Sequence, residues 1–267
     1  MRLKYKTRFD VDYPEKMYNY YTSEGPNQKI KIALLNASNY YCMYCGTDLY
    51  NDNKLFCNLE HSVEKSQKEK EIPWLRECKY NLSVTCPTCN IKHKKIVKPL
   101  VTTLDELSCS QLNYSCRDNG YCSFYKTVLE EALNTNNIIL QPFGASNKYT
   151  SNCYEVEYDL LRNRYSCSQE YLYTSYEFTY IRDHISRFNL NGVSKTPVIE
   201  KICCDIIEDI QLFNVTETKF IFLKYLKIRY SNILGKTFID FLNSSFENKS
   251  IQELEDFCEF ILISSYL

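Results

Sequence analysis

Apolar and polar positions along this chain follow two different rhythms. From about Thr102 onward the apolar residues recur three or four apart, the spacing of one buried helical face. It predicts helices over Ser123–Leu133, Thr174–Phe188, Pro197–Phe213, Glu217–Leu234, Lys236–Ser244 and Ile251–Tyr266. Asn191-Gly192 reads as a helix stop, and Pro197 as a first-turn residue of the next helix. Between them and the first helix, Asn137–Tyr158 gathers β-branched and aromatic residues around Pro142 and Gly144, which predicts a hairpin. Before Thr102 the rhythm is different. Residues 1–37 open with alternating basic and apolar positions (Arg2, Lys4, Lys6, Arg8), and after Gly25-Pro26 they predict a helix from Gln28 to Asn36. Residues 38–98 are short segments with turn residues such as Asn51-Asp52-Asn53 and two close cysteine pairs. The expected organisation is a basic, partly helical extension over 1–37, a small domain over 38–100 and a mainly helical unit over 101–267.

Composition narrows the class. The chain has 267 residues, 44% hydrophobic and 24% charged, which is ordinary for a globular protein. Apolar runs of the Phe220–Leu223 and Phe260–Ile263 kind fall far short of a membrane span, so no membrane partner is expected. The opening MRLKYKTRFDVDYP has no apolar stretch behind its basic residues, so no secretory signal is expected and a cytoplasmic location follows. Fourteen cysteines are then expected as reduced thiols, partly bound to metal. The net charge of −1 conceals an asymmetry: +6 over residues 1–100 against −7 over 101–267. A phosphate backbone meeting the first half would explain it, and so would scatter.

The chemistry concentrates between the cysteine pairs. Cys42-Met43-Tyr44-Cys45-Gly46 and Cys86-Pro87-Thr88-Cys89 each place two sulfurs on one tight turn. Two such knuckles complete a closed four-thiolate zinc site of the structural type, with redox thiols as the alternative. Leu55–Ser62 reads as a strand ending in an adjacent carboxylate and imidazole, Glu60-His61. Asn81-Leu82 precedes the second knuckle, and Asn90-Ile91-Lys92-His93-Lys94-Lys95 follows it as a helix start.

This order of motifs, over about residues 38–98, resembles the zinc-stapled members of the HNH endonuclease family. The resemblance implies an α+β chain: a treble-clef-like ββα-metal finger followed by a mainly α-helical domain. It implies that His61 is the general base, that Glu60 and Asn90 ligate a catalytic Mg²⁺ or Mn²⁺, and that Asn81 ties down the loop between the strands. Physical chemistry suits those roles. An imidazole near its reference pKa of ~6.5 accepts a proton from water at neutral pH. A carboxylate and an amide carbonyl are hard oxygen ligands of the kind Mg²⁺ takes. Lys92, Lys94, Lys95 and Lys98 would contact phosphates without reading sequence, or be a solvated face. The family more often has Asp than Glu at position 60, and the Pro or Gly often found after the His is replaced here by the charged stretch Glu64–Glu71. His93, three residues after Asn90, would touch a phosphate or serve as an extra ligand, with the phosphate contact preferred.

Beyond the finger, Ile185-Ser186-Arg187-Phe188-Asn189-Leu190-Asn191-Gly192 is similar to a Leu-Asn turn of HNH proteins in bacterial anti-phage systems such as retron-linked and Septu-type nucleases. That implies a defence effector cleaving DNA, with a partner such as an ATPase docking on residues 101–267. The alternatives are a zinc-stapled nucleic-acid-binding module without catalysis, or an RNA-cleaving toxin of the same chemistry. Cys109, Cys116 and Cys122, with Cys153 and Cys167, match no knuckle spacing, so a second zinc is not expected. Cys57 and Cys78 are expected as packing residues, and His184 on a surface or helix face. The 24 tyrosines are expected as core and interface mass.

Overall fold

A computed structural model describes residues 1–14, 19–51, 54–67, 70–71, 73–93, 123–135, 138–192, 197–213 and 232–265. The chain is a mixture of helices and small antiparallel sheets, as an α+β fold requires. A three-stranded sheet has the order β1 (Arg2–Tyr5), β8 (Val156–Asp159), β9 (Arg164–Cys167). A separate two-stranded ribbon pairs β4 (Asn58–His61) with β7 (Leu82–Thr85), Glu60 opposite Ser83 and His61 opposite Leu82. Two-residue strands make two further hairpins, β2 (Tyr50–Asn51) with β3 (Lys54–Leu55) and β5 (Ser66–Gln67) with β6 (Lys70–Glu71).

The helices are α1 (Glu24–Ala37), α2 (Pro73–Glu77), α3 (Ser123–Thr135), α4 (Ser175–Arg187), α5 (Pro197–Phe213), α6 (Ile233–Ser245) and α7 (Ile251–Ser265). Helix α5 has the predicted bounds, and α3, α4 and α7 differ from theirs by one or two residues at an end. Thr174, expected as the first residue of this helix, instead caps α4: its side chain accepts the Glu177 N–H while Glu177 accepts the Thr174 N–H. Helix α1 starts four residues before the predicted Gln28. Pro26 falls in its first turn, where its missing N–H costs nothing. The break expected between Leu234 and Lys236 is absent, because Asn232 caps α6 by accepting the Gly235 N–H at 2.7 Å. The rest of the predicted Glu217–Leu234 helix lies outside the described residues. No helix among the described residues is long and apolar enough to cross a membrane.

The stretch 137–158, expected to hold a hairpin, holds a short antiparallel one: Ser146 bridges Cys153, with the Asn147 N–H on the Asn152 carbonyl and the Tyr154 N–H on the Ala145 carbonyl, both at 3.0 Å, and a longer hairpin follows at Val156–Cys167. The buried hydrophobic cluster draws on all three of the stretches 1–37, 38–100 and 101–267. Tyr44 stacks on Phe188 at 4.7 Å, and Tyr125 Oη donates to Asn81 Oδ1 at 3.1 Å. The N-terminal strand β1 pairs with β8 of the second half. That pairing also consumes charge. Arg2 meets Asp159 at 3.2 Å and Glu157 at 3.8 Å, and Lys4 meets Glu170 at 2.5 Å. Part of the positive first half thus answers the negative second half within the chain.

Candidate metal centre and active site

The two knuckles come together. Cys42, Cys45, Cys86 and Cys89 are all buried, with their sulfurs within 4.8 Å of one another. Backbone bonds shape the first turn: the Cys42 N–H donates to the Thr47 carbonyl and the Gly46 N–H to the Cys42 carbonyl, both at 2.8 Å. Gly46 adopts φ +66°, a left-handed conformation that a side chain disfavours. In the second turn the Cys89 N–H points at the Cys86 sulfur at 3.4 Å. The Met43 N–H donates to the Val84 carbonyl at 3.1 Å, which fastens the first knuckle to β7.

The cluster could hold a structural metal ion such as zinc, and its dimensions suit one. Four sulfurs at the Zn–S length of about 2.3 Å stand about 3.8 Å apart at tetrahedral corners. The Cys45 and Cys86 sulfurs are 3.8 Å apart. Without an ion the thiols are in conflict. Burial pushes Cys42 up, while contact with the Cys42 sulfur pushes Cys89 up and draws Cys86 down. A dication that ionises all four removes that conflict. Among the described residues no other group of His, Cys, Asp and Glu side chains converges in this way. Cys153 and Cys167 take no part in such a cluster; Cys109, Cys116 and Cys122 lie outside the described residues.

The ribbon that the knuckles hold carries the polar pair. Glu60 is 4% exposed and His61 6%. Side chains alternate along a strand, so these neighbours project to opposite faces of β4. Glu60 turns inward, where Ser83 Oγ donates to its Oε2 at 3.2 Å. His61 packs its ring against Tyr21, with centroids 4.4 Å apart, and places Nε2 3.0 Å from the Arg76 carbonyl. A carbonyl only accepts, so Nε2 carries the proton and the lone pair of the neutral ring is on Nδ1. The structure thus gives the two residues separate neighbourhoods on the strand.

Asn81 is fully buried between the strands. Its Oδ1 accepts from the Val63 N–H at 2.7 Å, and its Nδ2 donates to the carbonyls of Val63 at 2.8 Å and Leu75 at 2.9 Å. The Ser62 N–H donates to the Asn81 carbonyl at 2.7 Å. One amide therefore closes the connection from β4 to β7. Asn90 is half-buried in the helical turn Cys89–His93, with its N–H on the Cys86 carbonyl at 3.2 Å. The side chains of Lys92 and His93, and the whole of Lys94, Lys95 and Lys98, lie outside the described residues.

Sequence reasoning missed the support around His61. Glu77 Oε2 accepts the N–H groups of Tyr21 at 2.9 Å and Thr22 at 3.3 Å, and its Oε1 pairs with Arg76 Nε at 2.7 Å. Burial opposes the Glu77 charge, but these donors outweigh it and hold the carboxyl below its usual range. Glu77 thereby fixes the turn that lays Tyr21 on His61. Tyr21 and Glu77 are more than fifty positions apart, and neither stands in a motif.

His184 is buried, not on a surface. It is 1% exposed, its Nδ1 accepts the Ile139 N–H at 3.2 Å, and burial, helped by Arg187, lowers its pKa to about 3. The Leu-Asn turn has a structural task too: Asn191 accepts from Tyr165 N at 2.6 Å and donates to Tyr165 O at 3.1 Å. No protein-family model matches the chain, and no curated protein or solved structure matches it either.

Proposed function

We propose that this chain is a zinc-stapled endonuclease of the HNH type, hydrolysing phosphodiester bonds of DNA with His61 as general base. One observation supports it above the others: His61 stands at the end of a ribbon fastened to the four-cysteine cluster, with its tautomer set by the Arg76 carbonyl. In that tautomer Nδ1 is the basic nitrogen. It accepts the proton of a water whose oxygen attacks phosphorus in line with the departing oxygen. Tyr21 and the Arg76 carbonyl hold the ring while its charge changes. Four thiolates on zinc keep the knuckles, and with them β7 and the turn carrying Asn90, at fixed separation.

Glu60 and Asn90 have the oxygen donors for a divalent ion, which when bound offsets the negative charge that builds on the phosphate. Their arrangement fits less well than their chemistry. Glu60 faces Ser83 inside the core and must turn toward the ribbon's end to reach a phosphate. That inward carboxylate favours a second reading, a zinc-stapled nucleic-acid-binding module without catalysis. The resemblance extends the proposal to an anti-phage effector triggered by a partner such as an ATPase on residues 101–267; co-purification from the native host tests that.

The deciding experiment offers plasmid DNA and a structured RNA to the purified chain with Mg²⁺ or Mn²⁺, beside His61→Ala of equal zinc content. Cleavage lost in the variant supports the proposal, and the substrate cut separates DNase from RNase. Equal cleavage by both proteins removes His61 from the chemistry. No cleavage by either, with both still binding DNA, supports the non-catalytic module.

A further inference from the structure

Beside the first knuckle lies a cleft of about 510 Å³ between β1, the turn after α1 and the first turn of α6. Its wall is tied to the metal centre. The Ile233 N–H donates to the Gly46 carbonyl at 3.3 Å, and Ile233 fills the space where a Gly46 side chain would stand. We propose that this cleft binds a phosphate group, and that in the nuclease reading on which this rests it holds the nucleic-acid backbone.

Three kinds of group converge there. The first is a helix N-terminus, whose unpaired N–H groups and dipole favour an anion. Asn232 takes the N–H groups of Gly235 and Lys236, and Gly46 takes that of Ile233. Leu234, which also lines the cleft, has no acceptor for its N–H among the described residues. The second is positive charge. Lys236 Nζ stands 5.1 Å above the Tyr41 ring, and among the described residues Lys6 Nζ reaches only the Ala37 carbonyl, at 3.4 Å, and the Phe9 ring. Lys4 is held by Glu170 and Asp240 stands in the lining, so among the described residues of the lining Lys6 and Lys236 are the cations left to serve a ligand.

The third group points to a ligand independently of the helix. Tyr41 lines the cleft and is 3% exposed, yet its hydroxyl has no hydrogen-bond partner among the described residues. A buried hydroxyl left unpaired is costly, and such groups in a folded protein call for an explanation. A phosphate oxygen is a suitable acceptor. A tetrahedral anion also has enough oxygens to meet an N–H, two ammonium groups and a hydroxyl together. The volume is within the range of sites for nucleotide-sized ligands.

The test is binding, measured without divalent ions so that it does not depend on cleavage. Fluorescence anisotropy follows a labelled DNA oligonucleotide on the wild-type chain, on Lys6→Ala/Lys236→Ala and on Tyr41→Phe, with Lys249→Ala as a control at a distant ion pair. The double variant is expected to weaken binding about tenfold and to reduce the salt slope by about one to two, with the control unchanged. Tyr41→Phe deletes one oxygen without changing shape. It is expected to leave the melting temperature of the free protein equal or higher while weakening the oligonucleotide severalfold. AMP and inorganic phosphate serve as competitors. Displacement of the DNA only by a second oligonucleotide identifies a backbone site, and displacement by millimolar AMP identifies a mononucleotide site. Unchanged affinity and salt slope in both variants, or no binding of any of these phosphates by the wild-type chain, overturns the cleft. Loss of cleavage with His61→Ala but normal binding bears on the nuclease proposal alone.

Discussion

The side chain of Asn81 pairs with the backbone of Val63 in both directions, accepting its N–H at 2.7 Å and donating to its carbonyl at 2.8 Å. The same amide also meets the Leu75 carbonyl and the Tyr125 hydroxyl. Replacing it by Ala strands these buried groups, each worth about 1–3 kcal/mol when left unsatisfied. Asn81→Ala should therefore destabilise the chain by about 3 kcal/mol or more, read as a lower urea midpoint at constant m. A midpoint within experimental error of wild type would mean that the loop is held by something else.

Metal should be stoichiometric. Protein purified from zinc-replete medium is expected to carry one zinc per chain, measured by elemental analysis. Cys86→Ser should lower both the zinc content and the melting temperature, because ligation energy is folding energy at such sites. Wild-type protein that folds fully after chelation, with no fall in melting temperature, would remove the stapling role.

Gly46 offers a sharper probe of the same knuckle. At φ +66° an alanine costs about 1 kcal/mol, and its Cβ would run into Ile233 Cγ2. Overpacking adds about 1–3 kcal/mol. In a double-mutant cycle Ile233→Ala should recover part of the loss, since the two changes share one contact. Strict additivity would show that Ile233 does not press on the knuckle.

Acid should weaken the fold through His184. Its folded pKa of about 3 lies below the usual value near 6.5, so the unfolded chain binds the proton more readily. Stability from this site is complete above about pH 6.5 and drains away as pH falls toward 3. Between pH 7 and pH 5 the loss should be about 2 kcal/mol, and denaturant titrations of His184→Gln should lack that part. The same pH dependence in both proteins would assign it to other groups.

What the sequence revealed depended on how local the signal was. Helix α5 was legible because Ile199, Ile202, Cys203, Ile206 and Ile210 repeat on one buried face. The knuckles were legible because two residues between cysteines is a geometric constraint within one turn. Strand β1 was not, although its alternation is plain. Leu3 and Tyr5 are buried while the outward Arg2 and Lys4 meet acids about 160 positions away, so its basic residues resembled a binding surface. Strand β8 hid for the opposite reason: all four of its residues are buried, including Glu157 and Asp159, which answer Arg2. For His184 the expected helix face holds and the expected surface does not: it lies three or four positions from the buried Tyr180 and Ile181, on the face of α4 that packs inward, and its Nδ1 accepts the Ile139 N–H there.

The pairing of Arg2–Tyr5 with Val156–Asp159 also bears on how the molecule is made. At ribosomal speeds of roughly 5–20 residues per second, the opening strand waits about 8–30 s before its mate is synthesised. During that interval it is an unmated edge, the kind of segment that recruits other chains. Lys4 and Lys6, set at alternate positions beside Leu3 and Tyr5, put like charges on any second copy that tries to add there. The residues that later meet Glu170 and the Ala37 carbonyl thus also guard the nascent chain against clumping.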